Sequence, residues 1–218
     1  MPQIFHRSAN LIARVSIIGV VLLIGALGWA LYAIELSPYY TNVGEAPPQP
    51  VPFSHRHHVG ELGLDCRYCH TSVEKSSFAG IPPTQTCMTC HSQIWTNAAM
   101  LEPVRASYRT GKSLEWTRVN ALPDFVYFDH SIHISKGIGC TTCHGPIATM
   151  PMTYKAGTLY MEWCLNCHRQ PEKFVRPRSE VFNPNYVPPS GHEQLVMGKK
   201  LVAEYKIHSL QNCSTCHR

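Results

Sequence analysis

Five Cys-x-x-Cys-His motifs constrain this chain more than any other feature of it. They are Cys66, Cys69 and His70; Cys87, Cys90 and His91; Cys140, Cys143 and His144; Cys164, Cys167 and His168; and Cys213, Cys216 and His217. Together they use all ten cysteines. Two thiols three residues apart can each close a thioether on one haem, and the adjacent His can reach the same iron as its proximal ligand. Cysteine pairs also hold structural zinc, and ten cysteines can form five disulfides. Neither alternative explains a His directly after the second Cys each time, so the motifs predict five covalently bound haem c groups.

Length then limits how those groups can be housed. Of 218 residues, roughly 180 follow the apolar N-terminal segment, about 36 per haem, too few to give each haem its own conventional domain. The expected fold is mainly α with extensive irregular loops, one N-terminal transmembrane helix, and a multihaem domain organised around stacked haems that serve as core. Seventeen Pro and fourteen Gly favour loops, with short helices at the attachment motifs. The formal charge of +5 is misleading, because roughly ten propionates would take the reduced holoprotein to about −5. The Lys and Arg residues form no basic run, which gives no support to nucleic-acid binding.

Val15 to Ile34 is an uncharged, mostly apolar run, about 30 Å long as a helix and therefore matched to a bilayer core. Arg7 and Arg14 precede it, and Glu35 and Glu45 follow. The positive-inside rule then places the short tail in the cytoplasm and the rest outside. Trp29, Tyr32, Tyr39 and Tyr40 suit the outer interface. The run exceeds a normal signal-peptide core, and no clear small-x-small cleavage site follows it, which favours an uncleaved single-pass anchor in a bacterial cytoplasmic membrane. The haem region would face the periplasmic side.

The chain divides by composition and by repeat. Residues 1–36 are tail and anchor, and 37–52 are a Pro-rich linker expected to be extended and semi-rigid. Phe53-x-His55-x-x-His58 precedes Cys66, and Phe128-x-His130-x-x-His133 precedes Cys140, so 53–122 and 123–189 read as two dihaem modules. Residues 190–218 add a helix and the fifth haem motif. Ser190-Gly191-His192-Glu193 has the form of a capping box for that helix, and Leu195, Leu201, Val202 and Tyr205 form its apolar stripe. His57 breaks the repeat, since Ile132 stands opposite it, and reads as a solvated or propionate-contacting residue.

The doubled Phe-x-His-x-x-His pattern resembles low-potential class III and triheme cytochromes. That resemblance implies that His55 and His130 are distal ligands to the haem of the motif that follows each, and that His58 and His133 serve other haems nearby. One sixth ligand remains open between His208 and the Met150/Met152 pair, with His192, Met100, Met161 and Met197 as further candidates. Met197 reads better as packing in its helix. A Met ligand would raise its haem's potential relative to bis-His neighbours.

Taken together, the anchor, the Pro-rich spacer, the doubled modules and the closing Asn212-Cys213-Ser214-Thr215-Cys216-His217 resemble the pentahaem cytochrome c subunit of bacterial alternative complex III. The resemblance implies partners: iron–sulfur and quinol-binding membrane subunits of one complex, and a monohaem cytochrome c or other carrier or oxidase as acceptor. The chain would relay electrons without catalytic residues of its own. A stand-alone quinol dehydrogenase feeding a periplasmic reductase is the nearest alternative, but Val73 occupies the position where those proteins carry an axial Met. A multihaem nitrite- or hydroxylamine-type enzyme needs an open iron, often marked by Lys in place of the motif His, and here all five motifs end in His.

Overall fold

The computed structural model describes residues 4–217, in two compact units that meet between Val43 and Gly44. The first is dominated by α1 (Ala9–Leu36), which is exposed and apolar on every face. Its 28 residues rise about 42 Å. The helix is long and apolar enough to cross a membrane.

The linker departs from the expected extended form at its start. Pro38–Thr41 makes one helical turn, α2, with Pro38 in the first turn, where its fixed φ and missing N–H are harmless. Asn42 ends the turn in the left-handed region at φ 55°, its N–H donating to the Pro38 carbonyl at 2.7 Å. Residues 44–52 stay irregular, but they do not hang free. The Gln49 side chain donates to the Thr117 carbonyl and accepts from the Thr117 N–H, each at 2.9 Å. The Thr117 hydroxyl donates to the Pro48 carbonyl, also at 2.9 Å. Prolines remove the N–H groups that would make a strand, so one amide side chain supplies the pairing instead. Val51 is then buried with Leu101 and Val104.

The second unit consists of short helices on long loops. Among the described residues there is no strand; an antiparallel bridge joins Val126 and His217. The attachment motifs form α3 (Cys66–Cys69), the end of α4 (Thr84–His91), α7 (Cys140–His144), the end of α8 (Met161–Arg169) and α10 (Cys213–Cys216). One helical turn is what the chemistry needs, because it sets both thiols and the following imidazole along one side. The Asp65 carboxylate starts α3 by accepting from the Arg67 N–H at 2.8 Å. Between motifs lie α5 (Glu102–Thr110) and α6 (His130–Ser135). The Thr84 and Ser107 hydroxyls tie α4 to α5 at 2.7 Å.

Helix α9 (Gly191–Glu204) buries the C-terminal part of the apolar stripe anticipated for it, Leu201 and Tyr205 with Val202 beside them, but not Leu195. Gln194, Gly198 and Leu201 are buried, whereas Leu195 is only part-buried. The cause is the close approach of the backbone around 171–175. The Gln194 amide donates to the carbonyls of Val175 at 2.9 Å and Glu172 at 3.1 Å. Gly198 leaves room for the Glu172 carbonyl, where a Cβ would overlap it. Leu201 packs with Val175 and Tyr205, and Met197 fills beside them. The Ser190 hydroxyl donates to the Glu193 carboxylate at 2.8 Å, so that pair closes side chain to side chain instead of capping the backbone. Gly198→Ala is expected to cost about 1–3 kcal/mol by overpacking, read as a lower melting temperature of the haem-bearing protein. Gly191→Ala, which faces open space, should melt unchanged.

Candidate haem-binding sites

Each Phe-x-His-x-x-His repeat folds into the same small device. Phe53 stacks on His58 at 4.4 Å and meets His55 edge-on at 5.0 Å; Phe128 stacks on His133 at 4.5 Å and meets His130 edge-on at 4.8 Å. One aromatic ring thus sets the planes of two imidazoles. Asp129 caps α6 by accepting from the N–H groups of Ser131 and Ile132. The first repeat runs instead into a π-helical turn over Arg56–Glu61, a local widening often found at functional positions.

Hydrogen bonds then fix how each ring is turned. Nδ1 of His58 lies 2.8 Å from the Ser54 carbonyl, and Nδ1 of His133 lies 2.6 Å from the Asp129 carbonyl. His130 points Nδ1 at the Ser77 carbonyl at 2.8 Å, and His55 at the Thr153 hydroxyl at 2.9 Å. Among the motif residues, His70, His91 and His217 pair Nδ1 with the carbonyls of Gly80, Ile94 and Phe125 at 2.6, 3.3 and 3.2 Å. His144 differs: the Asn120 side-chain N–H donates to its Nδ1 at 3.1 Å. A carbonyl accepts only from a protonated Nδ1, which leaves the Nε2 lone pair free for a metal.

Electrostatics favour the neutral form of these rings. Burial, and then repulsion from His70, His144 and His58, lower His55 to about 4. Burial, with His130 and His70 nearby, lowers His144 to about 4. Burial also lowers His58 and His133. These rings stay neutral near pH 7, as a metal ligand must. Burial raises the thiols of Cys143 to about 12 and Cys167 to about 11.

The rings also face one another in pairs. His58 stands 6.3 Å from His91, His130 6.4 Å from His144, and His133 6.1 Å from His168, centre to centre. A metal–imidazole bond of about 2.0 Å on each side, plus roughly 1 Å from Nε2 to the ring centre, sets two trans imidazoles about 6 Å apart. The three pairs therefore fit an iron between them, each beside its own cysteine pair. After burial, His70 is the strongest influence on His55.

The fifth motif is built differently. The His217 ring lies 5.7 Å from Phe125, and the Tyr127 N–H donates to the Cys216 carbonyl at 2.8 Å. Among the described residues, the ring contacts of His217 include no second imidazole. His208 is exposed, and Met152 is part-buried. Met150 is fully buried beside Gly145, next to the third motif. His192 is exposed at the start of α9. His57 pairs with Glu61 at 2.9 Å and stacks near Trp95 at 6.0 Å.

Two features escaped the sequence. The oxygens that orient the imidazoles come from loop residues such as Ser77, Gly80 and Thr153, which carry no motif. Arg176, 5 % exposed, lies against the third motif. Its Nη2 donates to the Thr141 and Thr142 hydroxyls at 3.1 and 3.2 Å, and its guanidinium sits over Tyr186. Its Nε and Nη1 have no partner among the described residues. A buried cation with free donors suits a carboxylate such as a haem propionate.

Comparison with known proteins agrees with this chemistry. Residues 126–218 match the family described as cytochrome c7 and related cytochrome c. The menaquinone reductase multihaem cytochrome c subunit of Nitratidesulfovibrio vulgaris is 38% identical over 97 residues, which is 44% of this chain and 45% of that protein. The chain thus spans less than half the length of that curated relative. Five Cys-x-x-Cys-His motifs and facing imidazoles, together with the likeness over residues 126–218, make the chain similar to multihaem cytochromes c.

Proposed function

We propose that the chain is a membrane-anchored electron relay carrying five haem c groups, working as a subunit of a quinol-oxidising membrane complex of the alternative complex III kind. The observation that carries this reading is the set of imidazole pairs at 6.1–6.4 Å, each next to a Cys-x-x-Cys pair. In it, His70, His91, His144, His168 and His217 are proximal ligands, and His58, His130 and His133 are distal to the second, third and fourth motifs. His55 serves the first motif. Bound there, haem supplies one-electron redox chemistry. The protein's task is to hold both imidazoles neutral, turned and fixed, so that changing charge moves little else. The sixth ligand of the fifth site lies among His208, Met150 and Met152.

Helix α1 is the anchor in this reading, with the haem region on the periplasmic side. The iron–sulfur and quinol-binding subunits would then share the membrane with it, and a monohaem cytochrome c or similar carrier would accept from it. The menaquinone reductase relative favours a quinone-linked complex and supports a second reading, in which the same relay runs toward menaquinone. Mild-detergent purification from native membranes tests both. The expected product is a coloured chain of five haems, heavier than the bare 24.5 kDa polypeptide, migrating with iron–sulfur and quinone-binding subunits. A colourless chain would overturn the haem reading, and a monomer that oxidises quinol unaided would favour the stand-alone dehydrogenase. Reduction of the purified complex by menaquinol, against reduction of menaquinone by it, separates the two directions.

A further inference from the structure

Contacts between the attachment motifs set their order in space. The first and second motifs touch directly, since the Tyr68 hydroxyl and the Thr89 hydroxyl share a hydrogen bond of 2.9 Å. In the haem reading above, His55 and His58, three residues apart, serve that same pair of motifs, His58 facing His91 at 6.3 Å. In the second module, His130 and His133 on α6 face the third and fourth motifs.

The two modules meet through their first motifs. Cys66 and Cys140 both line a small cleft under Val181 and Phe182, with the Cys140 N–H donating to the Val181 carbonyl at 3.3 Å and the Cys66 thiol 3.9 Å from the Phe182 carbonyl. Around this junction the modules clasp reciprocally. The first module's His55 is oriented by Thr153 of the second, and the second module's His130 by Ser77 of the first. The Arg56 N–H donates to the Met150 carbonyl at 2.9 Å, and the Ser131 N–H to the Ser76 carbonyl at 3.3 Å. The fifth motif adjoins the fourth: the Ser209 hydroxyl donates to the His168 carbonyl at 2.6 Å.

Exposure gives an independent indication. Of the ten motif cysteines, only Cys90 and Cys213 are exposed, one in the second motif and one in the fifth. These are the motifs that the contacts place at the two extremes.

We propose that the five motifs form one unbranched row in the order second, first, third, fourth, fifth, so that electrons come on and leave at the second and fifth motifs. The proposal rests on the haem reading above. One electron at a time passes along it, each iron being oxidised as its neighbour is reduced, with a one-electron donor such as an iron–sulfur partner at one end and a one-electron carrier at the other. Chain order and row order differ because the modules join through their leading motifs, head to head.

An experimental structure of the full-length haem-bearing protein, with the thioethers traced, is the test. The expected result is nearest-neighbour macrocycles on Cys66 and Cys140, with those of the second and fifth motifs farthest apart. In solution, the fully reduced diamagnetic protein should show nuclear Overhauser contacts between macrocycles of the first and third motifs and none between the second and fourth. Five bound haems with the second motif beside the third or fourth would overturn the order while leaving the haem reading intact. Fewer than five haems would overturn both.

Discussion

Made in cells unable to attach haem, the chain from Gly44 onward is expected to remain unfolded. Only ten apolar side chains of the described residues are buried, in two clusters of three and scattered singles. The attachment helices α3, α7 and α10 are four or five residues long, well below the length at which a helix repays its nucleation. Such a unit resembles a small metallo-domain, in which binding free energy is folding free energy. Far-ultraviolet circular dichroism in detergent should retain little beyond the α1 signal, and proteolysis should destroy everything past the anchor. A protease-resistant apo-chain with a cooperative melt would sink the idea.

Replacing His133 should change one haem and spare the other four. Its ring is held by Phe128 at 4.5 Å and by the Asp129 carbonyl at 2.6 Å, opposite His168 at 6.1 Å. His133→Ala removes the imidazole but none of the cysteines, so five haems should stay attached while one turns high-spin. His133→Met should keep it low-spin and raise its potential on the order of 100 mV, within the roughly 0.8 V that axial ligands command. Optical and magnetic spectra check the first variant and a redox titration the second. Unchanged low-spin spectra in His133→Ala would refute the pairing with His168.

These expectations show what a one-dimensional chain reveals of such a protein. The Cys-x-x-Cys-His spacing is local, so the short helical turns at the motifs were legible, as was the long apolar run that forms α1. The repeat Phe-x-His-x-x-His was legible as a duplication, but the stacking of Phe53 on His58 and of Phe128 on His133 needs three-dimensional turns to appear. Contacts across the chain were not legible at all. Gln49 reaches Thr117, and Gly198 admits the backbone of Glu172; periodicity within α9 favoured Leu195, whereas the neighbouring carbonyls required Gln194. The linker misled because a proline-rich composition describes a free chain, and Val51 is held by a core.

The reciprocal clasp also bears on how the protein comes to be made. Thr153 lies 98 residues after the imidazole it turns, and Ser77 lies 53 before its own. On the proposed periplasmic placement, Cys66 and Cys69 would be exported well before Thr153 emerges, and the final orientation of His55 would wait for the trailing half of the polypeptide.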